Sequence, residues 1–166
     1  MTVPRPGVPR IAALLTPDRV RVPLRGWTKE ELLAELVDLI AVAAPNLPRD
    51  AALRAVRARE QVLSTGVGGG LALPHGRLPG LDRLWMAAGV TAEPVEFDAL
   101  DGQPVRLVFL LLGPADDVGL QVRTLGRLAR LLRQDVARGQ LIAAPDAPAF
   151  IEVLARLEAA DPVPAL

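Results

Sequence analysis

The sequence predicts an α/β protein in which a mixed sheet is covered by helices on both faces. Two observations carry this. Short apolar, strand-like runs cluster in the middle of the chain, while segments with apolar residues at helical spacing flank them on both sides. The most apolar run, Val105 to Leu112, has the continuous character of a central strand buried on both faces.

The elements follow in order. Residues 1–10 hold three prolines and a glycine and read as a tail. Ile11 to Leu15 allows one helical turn, stopped by Thr16-Pro17. Val20 to Leu24 alternates like a strand, and Pro23 suits a sheet edge. Thr28 and Glu31 form a capping-box pair, and Leu32, Leu33, Leu36, Leu39, Ile40 and Ala43 supply the apolar face of the helix that follows. A second helix is predicted from about Arg49 to Gln61, with Leu53, Val56 and Val62 inward.

A glycine-rich stretch leads into a strand from Leu71 to Leu73 that ends at His75. Trp85 to Thr91 reads as a strand and Val95 to Phe97 as a separate short one. Gly113-Pro114 is expected to end the central strand. A helix from about Gly119 to Gln134 would bury Val122, Leu125, Leu128, Ala129 and Leu132, and a short helical piece follows near Val136 to Ile142. Asp146 caps the last helix, with Pro148 in its first turn and Phe150, Ile151, Leu154 and Leu157 inward. No repeat, long linker or second core is evident, so one domain over residues 11–158 is expected, with 159–166 as a C-terminal tail.

Composition narrows the function. The 166 residues are 51% hydrophobic but only 3% aromatic, so the core must be aliphatic. Nineteen basic residues balance nineteen acidic ones, which argues against a nucleic-acid partner. Cysteine is absent, excluding disulfides, thiol catalysis and cysteine metal sites. One histidine without cysteine leaves only carboxylates as its partners, so no metal site is expected, and no cofactor motif is present: Gly66 to Gly70 fits neither a dinucleotide fingerprint nor a Walker loop. With no membrane-spanning run and no signal-peptide pattern, direct membrane insertion is not expected, and a soluble cytoplasmic protein is.

The chemistry centres on His75, the one histidine. Pro74 fixes the backbone before it and Gly76 frees it afterwards, which holds an imidazole at a strand end in a defined direction. The bland alternative is a hydrogen-bonded surface histidine. The active reading places Gly69, Gly70 and Gly76 in an anion nest, adds the hydroxyls of Ser64 and Thr65, and uses Arg59 as a fixed cation for a phosphoryl group. A neutral imidazole there is a nucleophile toward a phosphoryl donor.

The segment Arg59-Glu60 followed by Leu63 to Gly76 resembles the active-site signature of enzyme IIA proteins of the fructose/mannitol type (type 2), from the bacterial phosphoenolpyruvate-dependent phosphotransferase system. Residues Pro94 to Val105 look most like the nitrogen-regulatory branch. The resemblance spans residues 11 to 158. It implies a three-layer α/β/α sandwich with a mixed sheet, phosphorylation of His75 by an HPr-type phosphocarrier protein, and Arg59 beside that histidine. It also implies regulatory target proteins as partners, or a IIB domain in the sugar-transporting members. One departure stands out. Where the family has a second histidine after the apolar strand, this chain has Gln121, which can hydrogen-bond but cannot become a cation. The expectation is therefore a regulatory, phosphorylatable protein. A binding module that has lost phosphotransfer and a sugar-transport enzyme IIA are the alternatives.

Overall fold

The computed structural model describes residues 9–161. The tails expected over 1–10 and 159–166 therefore lie largely outside the described residues. Two short 3-10 turns, Ile11–Leu14 and Pro17–Arg19, precede six strands and five helices. In chain order these are β1 (Val20–Leu24), α1 (Lys29–Ala43), α2 (Arg49–Val62), β2 (Gly66–Gly68), β3 (Leu71–Ala72) and β4 (His75–Leu78). They continue as β5 (Trp85–Val95), β6 (Val105–Pro114), α3 (Val118–Leu131), α4 (Asp135–Ile142) and α5 (Ala147–Ala159).

The sheet runs in the order β1-β5-β6-β3-β2, and β4 also pairs with β6. It is mixed: β1 and β5 are parallel, β5 and β6 antiparallel, and β3 and β4 both parallel to β6. β6 is the central strand that its composition implies, and its alternation sorts the core. Val108, Leu110 and Leu112 point to the layer of α1 and α2, whereas Leu107, Phe109 and Leu111 pack with residues of α3, α4 and α5. The result is a three-layer α/β/α sandwich.

Caps fix the helix starts. The Thr28 hydroxyl accepts the Glu31 amide, and the Asp117 and Asp146 carboxylates accept those of Leu120 and Ala149. The Glu31 carboxylate in turn accepts the Trp27 amide at 2.9 Å.

Several expectations need correction. Val62 and Val122 are 81% and 60% exposed, because each lies on the outer side of its helix, and Val122 lines the cavity at His75. Gly113 and Pro114 do not end β6; they pair with Arg77 and Leu78 of β4 and carry the strand past His75. Val95 belongs to a long β5, and Phe97 follows that strand. The strand ending at His75 is two strands, a short β3 and a β4 that begins at His75, both laid along β6.

Candidate active site

β4 pairs His75 with Leu111 and Gly76 with Leu112, so the imidazole emerges where the paired strands meet α2 and α3. α2 comes close because residue 76 is glycine. A Cβ there would stand 3.1 Å from the Val56 amide nitrogen and 3.3 Å from the Ala55 carbonyl carbon. Gly76 thus sets the spacing between β4 and the helix that carries Arg59.

His75 is half-buried, and its Nδ1 lies 2.9 Å from the carbonyl oxygen of Leu73. A carbonyl only accepts, so Nδ1 must carry the proton and donate it, leaving the Nε2 lone pair free. Burial holds the ring below the ordinary histidine pKa. The Leu73 carbonyl opposes that shift, Arg59 adds to it, Glu60 opposes it, and Arg77 adds to it again. The ring is a neutral imidazole with one defined nucleophilic nitrogen.

His75, Arg59, Arg77 and Gln121 line one cavity of about 440 Å³, with Val118 and Val122 of α3 on its far wall. Arg59 is half-buried and donates from Nη1 to the Leu63 carbonyl at 2.7 Å, a solvent-facing contact that an arriving anion can replace. Gln121 is buried, 3% exposed, and its Nε2 donates to the Gly76 carbonyl at 2.7 Å. It ties α3 to the strand that holds His75.

The other four expected phosphate contacts lie elsewhere. The Ser64 hydroxyl donates to the Phe97 carbonyl at 2.9 Å and accepts the Gly66 amide at 3.1 Å. The Thr65 hydroxyl and amide both donate to the Glu60 carboxylate. Gly69 and Gly70 occupy the β2–β3 turn with φ of +65° and +78°, at the end of β3 away from His75. The Gly69 amide there is taken by this chain's own carboxylate. Gly69 donates its amide to Asp101 Oδ2 at 3.0 Å, and amide bonds from Gln103, then Gly69, hold Asp101 below the ordinary carboxylate range. A glycine run reads the same in sequence whether its amides face a ligand or an internal acid.

Two residues were missed by sequence reasoning. Arg77, on β4 two residues after His75, supplies a second guanidinium; strand alternation places both side chains on the same face, a signal that was available. Glu60 is buried, 6% exposed, and anchors the segment from inside. Lys29 Nζ stands 2.6 Å from its Oε1, and Thr65 N donates to the same oxygen at 3.0 Å. Thr65 in turn accepts the Leu73 amide at 2.9 Å. A chain of bonded groups thus runs from α1 to the carbonyl that orients His75.

Among the described residues, no group of three or more acidic or histidine side chains could hold a metal ion, and no helix is long and apolar enough to cross a membrane.

An α/β/α sandwich with a tautomer-fixed histidine at a central strand junction is the class of domain these features define. The family described as "Phosphoenolpyruvate-dependent sugar phosphotransferase system, EIIA 2" matches residues 13–157, and the chain belongs to it. Among its relatives is a nitrogen regulatory protein of Bradyrhizobium diazoefficiens, 38% identical over 146 residues that cover 87% of this chain and 94% of that one. A fructose-specific EIIA component of Haloferax volcanii is 35% identical over 130 residues, covering 78% and 84%. The crystal structure of nitrogen regulatory protein IIA-Ntr from Neisseria meningitidis superposes with a TM-score of 0.81 at 33% identity, covering 87% of this chain and 98% of that chain.

Proposed function

We propose that this protein is a regulatory enzyme IIA that accepts a phosphoryl group on Nε2 of His75 from an HPr-type phosphocarrier protein. The observation that carries the reading is the bond from Nδ1 to the Leu73 carbonyl, which leaves Nε2 as the nucleophile in a cavity lined by two arginines. In the transfer, the Nε2 lone pair forms the new N–P bond while the P–N bond to the carrier's histidine breaks, and the carrier nitrogen keeps the electron pair. No proton need leave His75. The positive charge that develops on the ring is met by the Leu73 carbonyl, and Arg59 and Arg77 face the phosphoryl oxygens.

Exposed Val118 and Val122 provide an apolar wall of the cavity against which a carrier protein can exclude water. A dianionic group added there changes both charge and fit for regulatory target proteins. The relatives named as nitrogen regulatory proteins support regulation over sugar transport, and so does Gln121, which cannot take up the charge that a second histidine would. This reading places the protein's work in the cytoplasm, with the carrier.

The test is intact mass at alkaline pH after incubation with phosphoenolpyruvate, enzyme I and phosphocarrier, for wild type and His75→Ala. One phosphoryl adduct on wild type alone is expected. No adduct on folded protein, in a mixture that labels an authentic enzyme IIA, favours the second reading that Gln121 raises, a binding module without phosphotransfer.

A further inference from the structure

α3 faces two cavities. Gln121 and Val122 line the one at His75, while Leu120 lines a second, of about 250 Å³, with Leu14, Leu84, Arg19 and Arg83. Arg19 is only 8% exposed. Its Nε donates to the Met86 carbonyl at 3.2 Å and its Nη2 to the Leu14 carbonyl at 2.9 Å, while Nη1 makes no hydrogen bond among the described residues. Arg83 lies 3.6 Å and Arg19 5.2 Å from the centre of the Trp85 ring, so two guanidinium groups share one indole.

Neither arginine has a carboxylate within ion-pair distance among the described residues. The Asp18 carboxylate accepts the Thr16 hydroxyl instead, and the eight residues before Pro9 contain no acid. A buried guanidinium with no carboxylate bonded to it is costly, and an anion between the two groups would offset part of that cost. Burial disfavours the charged form of Arg19, Asp18 favours it, and Arg83 disfavours it, which is the field an incoming anion relieves.

We propose that this cavity binds a small aliphatic carboxylate, its oxygens between Arg19 and Arg83 and its alkyl part against Leu14, Leu84 and Leu120. The guanidinium fork matches a carboxylate. The volume lies below the roughly 300–1,000 Å³ of sites for larger ligands, which excludes a nucleotide. Exposed Asp82 also lines the cavity and opposes a dianion such as phosphate. Occupancy reaches the His75 site through Gly113, where a Cβ would meet Leu84 Cδ2 at 3.1 Å and Gln121 Nε2 at 3.2 Å. Binding itself does not depend on His75 being phosphorylated.

The experiment is a titration of the full-length, unphosphorylated protein with sodium isovalerate, followed by two-dimensional ¹H–¹⁵N NMR against sodium chloride, with inorganic phosphate as a second series. Saturable shifts of the Leu14, Leu84 and Leu120 amides and of the Gln121 side-chain amide are expected. Arg83→Gln should weaken isovalerate at least tenfold with an unchanged thermal midpoint, and His75→Ala should leave it unaffected. Linear shifts without saturation, shifts centred on Arg59 and His75, or equal affinity in Arg83→Gln would overturn the site. Phosphate binding as tightly as isovalerate would overturn the assignment to an aliphatic carboxylate.

Discussion

The Nδ1 atom of His75 and the carbonyl oxygen of Leu73 stand 2.9 Å apart across a single proline. Pro74 cannot donate, but its carbonyl accepts the Leu111 amide, so the turn that brings the ring back onto Leu73 is itself fastened to the central strand. Tautomer, ring direction and strand pairing are one arrangement.

Its first consequence is a pH dependence. The fold lowers the pKa of His75, so between the lowered value and the ordinary one the unfolded chain binds more protons than the folded chain. The stability this contributes is fully present above the unfolded value of about 6.5 and is lost as pH falls through the folded value. Thermal midpoints of wild type should therefore drop more steeply below neutral pH than those of His75→Gln, in parallel buffers. Equal slopes would contradict a suppressed charge on this ring.

Glu60 holds the segment from within. Glu60→Gln removes the charge that Lys29 faces at 2.6 Å, and loss of one partner of a buried pair costs about 3–5 kcal/mol. Chemical denaturation should show a loss of that order. Lys29→Met combined with Glu60→Gln should recover part of it, because the ammonium left with the Phe97 carbonyl and the more distant Asp98 carboxylate is then gone.

The two kinds of glycine should separate cleanly. Gly69 has φ of +65°, and a Cβ there would lie 2.6 Å from Arg138 Cζ, in a guanidinium pinned to the Leu132 and Arg133 carbonyls. Gly69→Ala should cost at least the left-handed penalty of about 1–2 kcal/mol, without slowing phosphorylation of His75. Gly76→Ala presses instead on the backbone of α2 and should slow phosphorylation by shifting His75 relative to Arg59. Stability curves and phosphorylation time courses of the two variants check both.

The contrast between these glycines shows what was legible in the sequence. Helix caps at Thr28 and Asp146, the buried β6 and the Pro74-His75-Gly76 step depend on neighbours in the chain, and local pattern conveys them. What Gly69, Ser64 and Thr65 bond to depends on Asp101, Phe97 and Glu60. Two of these are more than thirty residues away, and Glu60 is an acid inside a helix that pattern alone would leave in solvent. Val62 and Val122 misled for the related reason that an apolar residue at helical spacing reads as core, even where it faces solvent.

Gln121 gives a further test. Gln121→Ala removes the 2.7 Å bond to Gly76 and opens space beneath α3, at a cost of about 1–3 kcal/mol. Phosphorylation should slow but persist. Gln121→His supplies a side chain that can ionise and should lengthen the lifetime of the phosphorylated form, measured as the rate of adduct loss after the carrier is removed.

The most direct measurement is a long-range ¹H–¹⁵N correlation spectrum of the phosphorylated, ring-labelled protein. The account predicts phosphorus on Nε2 of His75, with Nδ1 protonated and still bonded to Leu73. Phosphorus on Nδ1, or a phosphoryl adduct on another residue, would contradict it.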